Sequence, residues 1–181
     1  MLPQFKEITL QNGLKVITAV DSNSPSFTLL FSVLAGSRFE EEGKEGTAHY
    51  LEHLAFKGSS KYPTQLDVAQ EVEGFGGEWN AYTGEETIGY YIRAASSNFD
   101  KAFEVLEDIV FHPKLEEKEI DNERGVILEE YKLYHDDPKS WVDIKSEELL
   151  FAGHQLGENI VGQPETIAKL VRQDFLDYRA K

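Results

Sequence analysis

Cysteine is absent from this 181-residue chain. That excludes disulfides, thiolate zinc ligands and cysteine nucleophiles, so any metal must be held by histidine and carboxylate. Positive charge is scarce as well: 18 Lys and Arg stand against 33 Asp and Glu, a net charge of −15. Such a surface argues against a nucleic-acid binder built on many phosphate contacts and against a binder of anionic membranes. Long apolar runs are also missing. No stretch approaches the length of a membrane span, and Met1 to Val20 carries Lys6, Glu7 and Lys15 where a secretory signal would be continuously apolar. The expectation is a soluble, cytoplasmic chain, or a mitochondrial-matrix one if a targeting segment has been removed. Repeats, low-complexity tracts and linkers are lacking too, so residues 1–181 are expected to form one unit.

What is present suffices to close a core: 40% of residues are hydrophobic and 12% aromatic. Asn12-Gly13 between two β-rich flanks, residues 5–10 and 14–20, predicts an opening hairpin. The apolar run at residues 26–35 predicts a strand buried on both faces. The acidic stretch from Glu40 to Gly46 reads as a loop that cannot pack. Helices are predicted from a Thr47 cap to about Phe56, from the Thr64/Asp67 capping pair to Gly74, and from Ser97/Asp100 to His112-Pro113. The third of these is expected to bury Phe99, Phe103, Leu106 and Val110. A strand over residues 90–95, a long helix from about Glu116 to Tyr134, a helix begun by Asp137-Pro138 and ending near Phe151, and a last helical stretch at 174–180 complete the pattern. Strands come early and helices late, and the strands are joined by a hairpin. The class is therefore α+β, with a mostly antiparallel sheet.

His49-Tyr50-Leu51-Glu52-His53 reads H-x-x-E-H, and it falls on a predicted helix. Positions four apart on a helix are separated by about 6 Å of rise and roughly 40° of rotation, so both imidazoles project from one face and can share a cation. Glu52 lies beside that face, where a carboxylate can take a proton from water activated by the metal. Two imidazoles do not complete a zinc site; the third ligand must be Asp, Glu or another His. On the long helix, Glu123 and Glu130 share a face with Ile127, whereas Glu129 is turned about 100° from Glu130 toward solvent. A face that mixes an apolar residue with two carboxylates is expected to look inward.

Four blocks follow one another in order: residues 49–58 beginning with the histidine motif, Asn80-Ala81-Tyr82-Thr83 with Glu86 and Tyr90-Tyr91, residues 123–130, and Leu156-Gly157-Glu158-Asn159-Ile160-Val161-Gly162. In these the chain resembles the pitrilysin family of zinc peptidases, in the branch that contains the processing-peptidase β subunits and their bacterial relatives. The resemblance implies an antiparallel sheet with helices packed on one face, one Zn2+, His49, His53 and Glu130 as its ligands, and Glu52 as general base. It implies that Glu123 supports the site from behind the ligands. It also implies that Asn80 and Ala81 lie on an edge strand that pairs with an extended peptide.

Members of that family carry two similar α+β domains facing each other around the substrate, the second supplying an Arg and a Tyr near the scissile bond. The expectation is therefore the N-terminal catalytic part of a zinc metalloendopeptidase, ending before the last strands of its first domain. A second homologous domain or subunit would supply the remainder. The substrate would be an extended peptide or a precursor segment, basic ones included, although solubility is the simpler use of the acidity. The competing expectation is a non-catalytic core subunit of the same fold, which would have no need of a complete ligand set plus a base.

Overall fold

The computed structural model describes residues 4–181. Strands β1 (Gln4–Thr9) and β2 (Lys15–Val20) pair antiparallel with Thr9 opposite Lys15. The hairpin is where the sequence places it, but its turn is longer than Asn-Gly alone implies. Leu10 N–H donates to the Leu14 carbonyl at 2.8 Å, so the loop is Gln11-Asn12-Gly13, and Gly13 takes the positive φ of 87°. The Asn12 side chain accepts from Leu14 N–H at 3.1 Å and fixes the loop.

The main sheet has three strands in the order β3 (Ser26–Val33), β5 (Ile88–Ala95), β4 (Glu78–Thr83), all antiparallel. Strand period two sends Phe27, Leu29 and Phe31 of β3, Ile88, Tyr90 and Ile92 of β5, and Trp79, Ala81 and Thr83 of β4 to one face, where the core lies. The opposite face holds Thr28, Leu30 and Ser32, all exposed. β3 is thus buried on one face rather than two, because helices cover only one side of the sheet.

Helices α1 (Thr47–Ala55) and α3 (Phe99–Phe111) pack on that side, α1 against β4 and α3 against β5 and β3. α3 buries Ala102, Val105, Leu106 and Ile109, an i, i+3, i+4, i+7 stripe, and Val110 joins it. Phe99 and Phe103, expected in the core, lie at its rim and remain nearly half exposed; they meet Phe27 and Phe31 edge-on at 5.2 and 5.6 Å. α2 (Gln65–Gly74) starts with the predicted capping box: Asp67 N–H donates to Thr64 Oγ1 at 3.3 Å and Thr64 N–H to Asp67 Oδ2 at 2.9 Å. α4 (Glu117–Asp136) lies along α1, and α5 (Pro138–Leu150) follows with Asp137 as its cap and Pro138 in its first turn. Two short helices close the chain, α6 (Pro164–Ile167) and α7 (Arg172–Arg179). Ile167 and Phe175 reach the core from them. Among the described residues no helix is long and apolar enough to cross a membrane.

Candidate metal centre

α1 is oriented by what it buries. Ala48, Tyr50, Leu51, Leu54 and Ala55 are at most 5% exposed, which leaves His49, Glu52 and His53 on the remaining face. The Tyr50 hydroxyl donates to the Ile120 carbonyl of α4, and the Tyr50 ring packs edge-on against Phe175 at 5.0 Å. The N-terminus of α1 is fixed by a residue from the acidic stretch that was expected not to pack. Glu40 is buried, and its carboxylate accepts from Gly46 N–H at 2.9 Å and from Ala48 N–H at 2.6 Å. Carboxyl oxygens at a helix N-terminus accept from the free N–H groups and turn their partial negative charge toward the positive end of the dipole. Thr47, the expected cap, is instead the first helical residue, behind Gly46 at φ 94°. Glycine is required there: a Cβ would sit 2.5 Å from the Val161 carbonyl oxygen. Burial pushes the Glu40 carboxyl up to about 8, while the two N–H donors pull the other way.

α4 presents Glu123, Ile127 and Glu130 toward α1, as their spacing predicts, and Glu129 points to solvent against Lys132. Ile127 is fully buried. His49, His53 and Glu130 each offer one ligand atom, and these atoms lie within 4.8 Å of one another. The imidazole Nε2 atoms of His49 and His53 stand 3.6 and 3.4 Å from the Glu130 carboxylate. On the far side of His53, Nδ1 meets Glu123 Oε1 at 2.8 Å, and the other Glu123 oxygen takes Lys57 Nζ at 2.6 Å. Nδ1–H donating to Glu123 turns Nε2 toward Glu130, so that loss of the Nε2 proton gives the tautomer that metal ligation requires. His49 is held differently: its buried Nδ1 has no partner among the described residues.

The charges agree with that geometry. The facing imidazoles of His49 and His53 hold the Glu130 carboxyl far below the usual carboxylate range, against the effect of burial. Burial alone would lower the His53 imidazole, but Glu123 and Glu130 outweigh it and raise it to about 9. Burial raises Glu123, yet His53 and Lys57 bring it below its ordinary value. Two carboxylates thus favour a proton on His53, and a divalent cation at its Nε2 would take that proton's place. Two imidazole nitrogens and a carboxylate oxygen, beside a cleft of about 530 Å3, fit a zinc site that leaves one position open.

Glu52 opens on the same cleft, and Ala81 and Thr83 of β4 form its floor. Asn80, the neighbouring sequence candidate, is exposed on the other face of β4, and its side-chain oxygen accepts from Ala81 N–H at 2.9 Å. The far wall is acidic, with Asp143 and Glu147 from α5 and Glu158 from the loop after it.

A comparison with protein families matches residues 15–163 to the insulinase family, Peptidase family M16. The chain belongs to peptidase family M16. It is 39% identical over 177 residues to the β subunit of the mitochondrial-processing peptidase of Bos taurus, covering 98% of this chain and 36% of that protein. It is also 39% identical over 183 residues to an uncharacterized zinc protease of Rickettsia bellii, covering all of this chain and 44% of the relative. Among solved structures, a protease from Helicobacter pylori superposes with a TM-score of 0.92 at 28% identity, over 98% of this chain and 43% of that one. Pitrilysin superposes with a TM-score of 0.85 at 28% identity, over 99% of this chain and 20% of that one. The chain therefore spans less than half the length of these M16 relatives. The M16 fold, with helices on one face of an antiparallel sheet, is the one expected from the four sequence blocks.

Sequence reasoning missed the cap at Glu40 and the acidic wall of α5. Thr83 lies inside one of the four blocks, but nothing in its type or spacing marks it. The alternation of Trp79, Ala81 and Thr83 carries the signal that these three share a face.

Proposed function

We propose that the chain is the catalytic part of a zinc metalloendopeptidase, with His49, His53 and Glu130 holding one Zn2+ and Glu52 as general base. One observation carries this reading: the three ligand atoms converge within 4.8 Å while the Glu52 carboxylate opens on the same cleft. A non-catalytic core subunit would need neither the convergence nor the additional carboxylate.

When bound, zinc supplies Lewis acidity, making water a better acid and a peptide carbonyl a better electrophile. The remaining steps belong to side chains. Glu52 accepts the proton of the attacking water and later delivers it to the leaving amine, so that the base is regenerated. Glu123 holds His53 in the tautomer that presents Nε2. β4 is an outer strand of its sheet, with no partner on its far side among the described residues. Its backbone at Asn80 and Ala81 can pair with an extended peptide, which β-addition delivers along the cleft floor. The carboxylates of α5 favour peptides bearing a cation.

Residues 1–181 then correspond to the N-terminal catalytic domain short of its final strands, and a second homologous domain or subunit would contribute the Arg and Tyr. The test uses the protein with that second half, continuous or added as a subunit. Glu52→Gln should keep stoichiometric zinc and lose peptide hydrolysis by at least about a hundredfold, the scale of a general base. Hydrolysis by the variant at the wild-type rate would overturn the assignment.

A further inference from the structure

We propose that Thr83 is the positioning residue for Glu52, so that the edge strand that receives the peptide also sets the orientation of the base. This rests on the peptidase reading above. The Thr83 Oγ1 hydroxyl donates to Glu52 Oε2 at 2.5 Å, and this is the one side-chain hydrogen bond that Glu52 makes among the described residues. Oε1 is left free to meet a water proton. Unrestrained, a Glu side chain sharing one cleft with the Glu130 carboxylate would swing away from the like charge.

The donor is rigidly held. Thr83 ends β4 opposite Ile88, which is 2% exposed, and its β-branched side chain has restricted χ1 freedom. The turn that follows is fixed on both sides: Gly84 N–H donates to the Thr87 carbonyl at 2.9 Å, and Arg38 N–H donates to the Glu85 carbonyl at 2.9 Å. Residues 36–38 lead directly into Glu40, which caps α1. The base is therefore referenced to the same short segment twice, through the helix N-terminus and through the strand end. Ala81 and Thr83 face the cleft at successive inward positions, so a peptide paired along β4 would lie next to the residue that aims Glu52.

Thr83→Val keeps the shape and removes the donor. In the protein with its second half, kcat should fall about tenfold or more, with KM within about twofold and zinc content unchanged, since misorientation of a base acts on the chemical step. Thr83→Ser, which restores the hydroxyl, should recover most of the loss. A second readout needs no catalysis: the shift in unfolding midpoint caused by Thr83→Val should shrink sharply in a Glu52→Ala background. Full activity of Thr83→Val in an active enzyme, or equal midpoint shifts in both backgrounds, would overturn the proposal. An inactive wild type that loads zinc would instead count against the peptidase reading, and the midpoint cycle would still decide whether Thr83 holds Glu52.

Discussion

α4 and α5 follow each other in the chain, both look polar in sequence, and both border the cleft, yet the structure treats them differently. α4 sinks Ile120, Glu123 and Ile127 into the core and uses that anchorage to aim Glu130 at two histidines. α5 buries no residue at all, and its Val142, Leu149 and Leu150 are 60, 80 and 77% exposed. One helix is an anchored scaffold for the His49, His53 and Glu130 cluster and the other is a charged bank. A ligand must be held to a fraction of an ångström, which packing provides, whereas an attractive field is felt at a distance and tolerates a loosely attached helix.

The largest test of that contrast is Glu130→Ala. It removes one of the three proposed ligands, so the protein should no longer retain zinc through gel filtration, and elemental analysis reads the loss directly. The same truncation at Glu147 on α5 should leave zinc stoichiometric. Stability should divide along the same line. Ile127→Ala should cost about 2–5 kcal/mol in denaturant unfolding, the range for deleting a fully buried aliphatic side chain. Leu149→Ala should stay within about 0.5 kcal/mol, as exposed substitutions do. Comparable losses at both positions would mean that α5 is packed in solution as firmly as α4.

The contrast also separates what local spacing encodes from what only tertiary contacts decide. His49, Glu52 and His53 are legible in the sequence because helix geometry alone turns their spacing into a shared face. Glu123 and Glu130 are legible through their relation to Ile127. The depth of burial is not legible, since charged residues of similar density surround both α4 and α5, and packing against the rest of the chain selects the helix that is covered. Glu40 is illegible for another reason. It reaches the N-terminus of α1 across a chain reversal, six residues from Gly46 and eight from Ala48, outside the spacing of any local cap. β3 misleads because a run of Phe, Leu and Val reads as a two-faced strand, whereas the sheet is covered on one side.

Glu123→Gln tests how far α4 works through His53 rather than through its own carboxylate. Loss of an acceptor behind a metal-bound imidazole typically lowers metal affinity about 10–100-fold. The pH dependence has a definite sign. Against the effect of burial, Glu123 and Glu130 raise His53 from 6.5 to about 9, so in metal-stripped protein its ion pairs stabilise the fold below 6.5, and that stabilisation is lost as pH rises through about 9. Zinc competes with the same proton. Wild-type affinity should therefore rise about tenfold per pH unit up to about 9 and then flatten. Without Glu123 the imidazole holds its proton less tightly, so the curve for Glu123→Gln should flatten at lower pH. The deficit should be widest above pH 9 and narrower near neutrality, as zinc titrations against a competing chelator would show. A deficit that does not change with pH would separate Glu123 from the His53 proton.

The smallest effect belongs to α5. Burial, Glu85 and Asp143 raise the Glu147 carboxyl above its ordinary value, so like charges on this wall already strain against one another. A cationic peptide side chain would relieve that repulsion, which is the basis of the proposed preference for basic peptides. Asp143→Asn with Glu147→Gln should raise KM for a basic peptide a few-fold and leave that for a neutral peptide unchanged. About 0.5 M salt should erase the difference, because exposed charges are screened within a few ångströms at that ionic strength. A drop in kcat on the neutral peptide would show that α5 shapes the reacting centre itself, and the division between the anchored helix and the charged one would then fail.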